Sequence, residues 1–227
     1  MAGWPGNAPF ARVDHTKKTD EMFFSVFDFS ASEHTGSHAD APRHFVEDGI
    51  TIDEVPLSRF FGEACVIDID SANRRPFDDY QISVEDILEW EGQHGQLDDC
   101  VVLFNTGQAK FFSNATEYMG GGKMGDLHFP GLSAEAAEWL ATKRSVKSVG
   151  IDTASVDPGS CGNFAAHRAL LSRGVPLFEN LANLDRLPPR GASVMLLPLK
   201  IQGGSGAPMR AVAWNWEAAD GGASASH

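Results

Sequence analysis

The segment from Glu33 to Phe45 reads EHTGSHADAPRHF, which places His34, His38, Asp40 and His44 within eleven residues. Two imidazoles and a carboxylate form a donor set for Zn(II), Mn(II) or Fe(II), and three protein ligands leave positions open for water and substrate. His34 and His38 are four apart, a spacing that lets a helix present both to one metal, but Thr35 stands where a zinc protease carries its glutamate. Gly36 inside the segment costs a helix about 1 kcal/mol, and Pro42 follows closely. The expected conformation is therefore a loop or strand end that folds its donors around a point. Glu33 reads as a carboxylate facing solvent, with support of a ligand from behind as the alternative. His44 lies beyond the Pro42 turn and is either a further ligand or a proton carrier. A cation lowers the pKa of bound water and polarises a carbonyl, yet a proton must still reach the leaving group, and a neutral imidazole near pH 7 suits that task. The competing reading is a histidine-rich surface loop whose side chains are merely solvated.

The elements that must position these residues are short. Phe23 to Ser30 is aromatic and partly alternating, so it reads as a strand delivering the chain into the loop. Glu63–Asp70, Asp98–Gly107, Val146–Thr153, Val175–Leu181 and Ser193–Ile201 are apolar runs bounded by turn residues and read as buried strands. Met209–Glu217, with Val212, Trp214 and Trp216, reads as a half-buried closing strand. Ser83 can cap a helix carrying Val84, Ile87, Leu88 and Trp90. Ser133 can cap another, with Glu135 near its start and Lys143 and Arg144 near its end. Asn163–Arg173 reads as a third helix stopped by Gly174. Trp4–Pro9 is a loop, so the first regular element comes late. Strands alternating with helices in the second half, after a more β-rich first half, predict a mixed α/β architecture with a parallel part.

The 227 residues, 42% hydrophobic and 22% charged, suit one domain over residues 1–217 with a flexible tail over 218–227. A formal charge of −13 repels phosphate backbones and anionic membranes, so no nucleic-acid or membrane partner is expected. No apolar run approaches the roughly 18 residues of a membrane span, and the start lacks a secretory pattern, so a cytoplasmic protein is expected. Cys65, Cys100 and Cys161 form no CxxC pair and read as buried, reduced thiols.

With these residues in hand, HTGSHADAPRHF resembles the HxGTHxDxPxHF signature of the cyclase family, which includes bacterial metal-dependent kynurenine formamidases, isatin hydrolases and related lactone hydrolases. Ser37 replaces the usual threonine and keeps the hydroxyl. The resemblance continues in GIDTASVDPGS, AHRALL, FENLANLDRLPPRG and LPLKIQGGSGAPMRAVA, from about Trp4 to Ala213. It implies His34, His38 and Asp40 as metal ligands and His44 as general acid/base, and adds His167 and Glu179 as ligands. It implies one or two ions of Zn(II) or Mn(II). It also implies a compact mixed-sheet domain of the swivelling β/β/α type and a homodimer or larger homo-oligomer. The WPG turn at the start suggests a first strand shortened or missing. Read without the resemblance, His167 among Ala165, Ala166, Leu170 and Leu171 is as well a core-edge histidine. Glu179 in PLFENL is more telling, because a buried carboxylate is costly unless paired or bound to a cation.

The expected function is hydrolysis of a small cyclic amide, aryl amide or lactone, with attack of metal-bound hydroxide on the carbonyl and His44 moving the proton. FENLANLDRLP is closer to the isatin hydrolase branch. The alternatives are an arylformamidase acting on N-formylkynurenine and a non-catalytic metal- or ligand-binding protein. Trp4, Trp214, Trp216 and the phenylalanines around Phe23 are candidates to line an aromatic pocket. His128, in a glycine-rich loop over Tyr118–Pro130, is a candidate to face the substrate, with a plain surface excursion as the other reading. GGGKMG (Gly120–Gly125) lacks the strand and helix of a dinucleotide site, and GGSGAP lacks the final glycine of a serine-hydrolase elbow.

Overall fold

A computed structural model describes residues 4–69 and 79–215. Trp216 and the 218–227 tail lie outside the described residues, as do the last residue of the expected Glu63–Asp70 strand and the last two of the expected closing strand.

The chain begins with an arm of two short ribbons. β1 (Ala11–Asp14), β2 (Lys17–Lys18), β3 (Phe23–Phe24) and β4 (Phe27–Ser30) follow one another, β1 pairing with β4 and β2 with β3. The expected Phe23–Ser30 strand is thus broken at Ser25–Val26, and every residue of the four strands is exposed. The rest of the fold runs β5 (His38–Asp40), β6 (Phe61–Asp68), β7 (Gln81–Ile82), α1 (Val84–His94), β8 (Val101–Asn105), α2 (Ala115–Met119), β9 (Gly131–Leu132), α3 (Ala134–Lys143), β10 (Ser148–Ile151), α4 (Ala165–Leu171), β11 (Leu177–Glu179), β12 (Ala192–Pro198) and β13 (Gly206–Asn215).

Seven of these strands close into a barrel in the order β10-β11-β5-β13-β12-β6-β8. Pairing is parallel between β11, β10, β8 and β6, and antiparallel around β5, β13 and β12. This is the mixed architecture that the alternation predicted, and closure removes the exposed edges an open sheet would carry. Side chains alternate across each strand. Ala39, Val66, Leu103, Phe178 and Val194 fill the barrel, while Cys65, Ile67, Val102, Phe104, Val149 and Leu177 pack outward against the helices.

The helix signals read from sequence hold with adjustments. Ser83 caps α1 in a reciprocal box with Asp86, and Ser133 accepts the Ala136 N–H at the start of α3. Leu88 is 46% exposed, off the buried Ile87–Trp90 stripe of α1, because the outer face of a surface helix has nothing to bury against. α4 is shorter than expected and starts after Phe164 rather than at Asn163. Cys65 and Cys100 are buried free thiols, but Cys161 is only partly buried, which corrects the expectation for that residue. Among the described residues no helix is long and apolar enough to cross a membrane.

Candidate metal centre and active site

β5 is three residues long and lies between β11 and β13. Its register sets His38 opposite Glu179 on one side and Pro208 on the other, and Asp40 opposite Leu177 and Gly206. Strand alternation sends Ala39 into the barrel and turns His38 and Asp40 together toward the helix-covered face. Glu179 shares that face with Leu177. Before β5 the chain turns through Gly36, whose φ of +65° excludes a helix and suits glycine. This bend brings His34 back over Asp40, with His34 Nδ1 2.7 Å from Asp40 Oδ1. A Cβ on Gly206 would stand 2.6 Å from the Ala39 carbonyl and 2.7 Å from His34, so only glycine lets β13 approach there.

α4 supplies the other side. Ala166, His167, Leu170 and Leu171 form its buried face, and this 3–4 spacing puts His167 over the barrel wall. His167 Nε2 lies 3.2 Å from Asp40 Oδ2 and 3.1 Å from Glu179 Oε1. His38 Nε2 lies 3.3 Å from both Asp40 Oδ1 and Glu179 Oε2. Asp40 and Glu179 are 0% and 4% exposed, and among the described residues their ionic partners are imidazoles. Ligand atoms of His34, His38 and Asp40 all lie within 4.8 Å of one another, and so do those of Asp40, His44 and His167. The five residues taken as ligands by resemblance therefore meet at one place, and so does His44. The solvated-loop reading fails on burial, because His38 is 3% exposed.

The electrostatics follow from that crowding. Burial alone would push the His38 imidazole down, but the Asp40 and Glu179 carboxylates overcome it and hold it up at about 10. His167 is raised against burial by Glu179, Asp157 and Asp40. Burial favours the neutral carboxyl at Asp40, yet the charge of His38 and hydrogen bonds from His167, His34 and His38 hold it well below the usual carboxylate range. His44 goes the other way. Burial pushes it down to about 4, its neighbours His34 and His167 adding to the shift and Asp40 opposing it, so it stands neutral at pH 7. It follows Pro42 in a single 3-10 turn and stacks on His34 with ring centroids 4.0 Å apart.

Several contributors were not legible in the sequence. Asp157 Oδ2 lies 2.6 Å from His167 Nδ1 and also accepts the His167 N–H, while Oδ1 accepts the Ala166 N–H at 2.7 Å. One carboxylate thus orients the imidazole and pairs the first N–H groups of α4. Its position in SVDPG carries no signal of this, since the pairing spans ten residues through a turn. The Gly36 carbonyl lies 2.8 Å from His38 Nδ1 and accepts from Asn180 Nδ2 at 3.0 Å. Asn180, itself at φ +54°, is held by the Tyr118 hydroxyl at 2.8 Å. The Ser37 hydroxyl that replaces a threonine donates to the Asn180 carbonyl. Glu33 does not simply face solvent: it accepts from Ser205 N and Oγ at 2.9 and 2.7 Å, and Ser205 Oγ lies 3.0 Å from His34 Nε2.

Beside these groups lies a cavity of about 260 Å³, lined by Trp4, Phe45, Met119, Ala154 and Phe164 on its apolar side and by His34, His38, His44, His167, Glu179 and Asn180 on the other. Trp4, one of the candidates for an aromatic pocket, is among the lining residues. Phe23 and His128 are not among the lining residues. Phe23 is 66% exposed on the arm, and His128 Nδ1 pairs at 2.6 Å with Asp79 in a half-exposed contact. The glycine-rich loop reaches the cavity through Met119 instead. Trp214 also lies elsewhere, on the end of β13.

Residues 3–158 match the family model named Cyclase and described as Putative cyclase. The kynurenine formamidase of Bacillus cereus is 27% identical over 216 residues, covering 93% of this chain and 90% of that protein. Isatin hydrolase A from Ralstonia solanacearum superposes with a TM-score of 0.84 at 31% identity, covering 94% of this chain and 86% of that one. An isatin hydrolase bound to the product analogue thioisatinate superposes with a TM-score of 0.82 at 28% identity, covering 91% and 81%. A seven-stranded mixed barrel carrying a buried histidine–carboxylate cluster, a matched family model and relatives spanning nearly its whole length place this chain in the Cyclase family, with the kynurenine formamidases and isatin hydrolases as its homologues.

Proposed function

We propose that this protein is a metal-dependent hydrolase that opens a small cyclic amide or lactone, with His44 as general acid/base. The observation that carries the reading is the convergence of His34, His38, Asp40, His167 and Glu179 against an aromatic-walled cavity that His44 also lines. These residues fit a divalent cation. Two carboxylates buried without a Lys or Arg partner among the described residues are costly unless a cation is shared between them. The Gly36 carbonyl and Asp157 each face a Nδ1 atom, which leaves the Nε2 lone pairs of His38 and His167 directed at the carboxylates. Mixed nitrogen and oxygen donors suit Zn(II) or Mn(II), and the five residues offer enough donors for one ion or two. When bound, such a cation supplies a Lewis acid and a water acidified toward neutrality.

The chain's own residues do the rest. His44, neutral and at the cavity wall, accepts a proton as the carbonyl carbon is attacked and returns it to the leaving nitrogen or oxygen. The rings of Trp4, Phe45 and Phe164 exclude water from one side of the carbonyl. Among the described residues the lining holds no Lys or Arg to pair with the α-carboxylate of N-formylkynurenine, which favours a neutral cyclic substrate such as isatin over the arylformamidase alternative. Three unpaired cysteines fit the reducing cytoplasm.

A second copy of the chain covers the arm. Phe10, Met22, Phe23, Phe27 and Phe29 are exposed on it, and a two-stranded ribbon without a core is not stable alone. The arm runs between Trp4 and His34, both of which line the cavity.

The test is to load the purified protein with Zn(II) or Mn(II) and screen isatin, N-formylkynurenine and simple lactones. His44→Ala is expected to keep its metal and lose about 10²–10⁴-fold in kcat. Full activity in that variant would remove His44 from the reaction, and bound metal with no turnover of any substrate would favour a non-catalytic binder.

A further inference from the structure

Phe164 occupies a backbone conformation that a bulky residue rarely adopts. Its φ of 51° and ψ of 48° lie in the left-handed region, immediately before α4. Gly162 and Asn163 precede it, and either residue type takes that conformation more cheaply than phenylalanine. A phenyl ring has no oxygen to cap the first N–H groups of α4, so helix capping does not explain a phenylalanine here. Strain of this kind persists only where the surroundings enforce it, and it concentrates where a side chain is aimed at a ligand.

The aim is visible. The Phe164 ring lines the cavity and stands 6.0 Å from Trp4 and 5.4 Å from Phe45, centroid to centroid. It is also 6.0 Å from the His167 ring, nearly perpendicular to it. Three rings from three separate parts of the chain thus form one wall, and Phe164 joins that wall directly to the helix carrying His167. Tilted and edge-on ring geometries at 4.5–7 Å are those in which aromatic groups attract one another.

We propose that Phe164 is a specificity-determining residue that holds the aryl ring of the substrate against Trp4, and that its left-handed backbone is what turns the ring into the cavity. This rests on the hydrolase reading and narrows it: the preferred substrates carry the scissile carbonyl on or fused to a flat aromatic ring, and aliphatic lactones gain nothing from this wall.

Phe164→Gly separates the two parts of the idea, since glycine keeps the left-handed turn without strain and removes only the ring. Phe164→Leu keeps apolar volume without aromaticity and serves if the glycine variant folds poorly. With metal-loaded protein, kcat and KM are measured on isatin and on δ-valerolactone, and thioisatinate binding is followed by tryptophan fluorescence. In both variants KM for isatin and the dissociation constant for thioisatinate are expected to rise roughly tenfold. The loss on δ-valerolactone is expected to be clearly smaller than on isatin, because only an aryl ring stacks on this wall, and the metal content is expected to hold. Parallel losses on both substrates, or no change on either, would overturn the role of Phe164. Wild-type turnover of δ-valerolactone without isatin turnover or thioisatinate binding would overturn aryl recognition and leave the hydrolase reading intact. Aryl binding that Phe164→Gly weakens, with no turnover of any substrate, would do the reverse.

Discussion

Asp157→Asn is the substitution with the most to say about the metal centre. Asp157 is 1% exposed, and its carboxylate meets three N–H groups: Ala166 N at 2.7 Å, His167 N at 3.1 Å and the imidazole Nδ1 at 2.6 Å. The Cys161 thiol donates to it as well, at 3.6 Å. Asparagine preserves the shape and one acceptor, so the start of α4 keeps a partner. Its amide nitrogen then faces His167 Nδ1 and donates to it, which moves the imidazole proton to Nε2, the atom between Asp40 and Glu179. A protonated nitrogen cannot be a ligand. Loss of a partner that orients a ligating imidazole costs about 10–100-fold in metal affinity, or roughly 1.4–2.7 kcal/mol. Asp157→Ala should lose stability as well, since leaving buried N–H groups unpaired costs about 1–3 kcal/mol each. The assay is Zn(II) affinity by competition with a chromogenic chelator, paired with thermal melts with and without metal. The asparagine variant should melt below the wild type but above Asp157→Ala without metal, since its amide nitrogen leaves only the His167 N–H without an acceptor, and it should bind Zn(II) more weakly and gain less from it. Wild-type Zn(II) affinity in Asp157→Asn would refute the orienting role, and an apo midpoint that falls as far as in Asp157→Ala would mark the carboxylate as a helix cap only.

Arg144 grips Glu91 with two hydrogen bonds of 2.6 and 2.5 Å, fastening the end of α3 to α1. Burial pushes the Glu91 carboxyl up, but these bonds and the Leu97 N–H outweigh it and hold it below the usual 4.5. A lowered folded-state pKa gives stability that is present above about pH 4.5 and is lost as pH falls through the folded value. Arg144→Ala should therefore cost about 1–2 kcal/mol at pH 7, limited by the partial solvent access of the pair, with the difference from wild type shrinking in urea melts below pH 4. A constant difference down to pH 3 would exclude this linkage. On the arm, Phe23→Ser with Phe29→Ser should convert a dimer to monomer in light-scattering chromatography, and a wild type that is already monomeric at micromolar concentration would remove the proposed covering.

Local chemistry carried much of the reading. Gly36 and Pro42 disfavour a continuous helix through the segment, so a loop bearing convergent donors was legible from thirteen residues. The capping serines at 83 and 133 and the apolar strands were legible for the same reason, because each signal is contained in a few consecutive residues. Glu179 stood out because a carboxylate inside PLFENL has no cheap fate other than a cation or an ion pair. His167 was not separable from an ordinary core-edge histidine, since nothing within α4 shows what lies across from it. His128 and Phe23 had suitable chemistry and spacing, but one is held by Asp79 and the other lies on an exposed ribbon.

The division follows from the range of the forces. Turn stereochemistry, capping and hydrophobic period act over a few residues, and through them the sequence by itself determined the break from helix at Gly36, the approximate places of the longer apolar strands and of the three capped helices, and the donor chemistry around His38. Contacts between distant segments decided the remainder. Barrel closure sets His38 opposite Glu179, α4 docks so that His167 meets Asp40, Asp157 and Ser205 meet the His167 and His34 rings, and Asn180 holds the Gly36 carbonyl that faces His38. No short-range rule encodes those meetings, because each exists only after the barrel has closed and buried the groups from water.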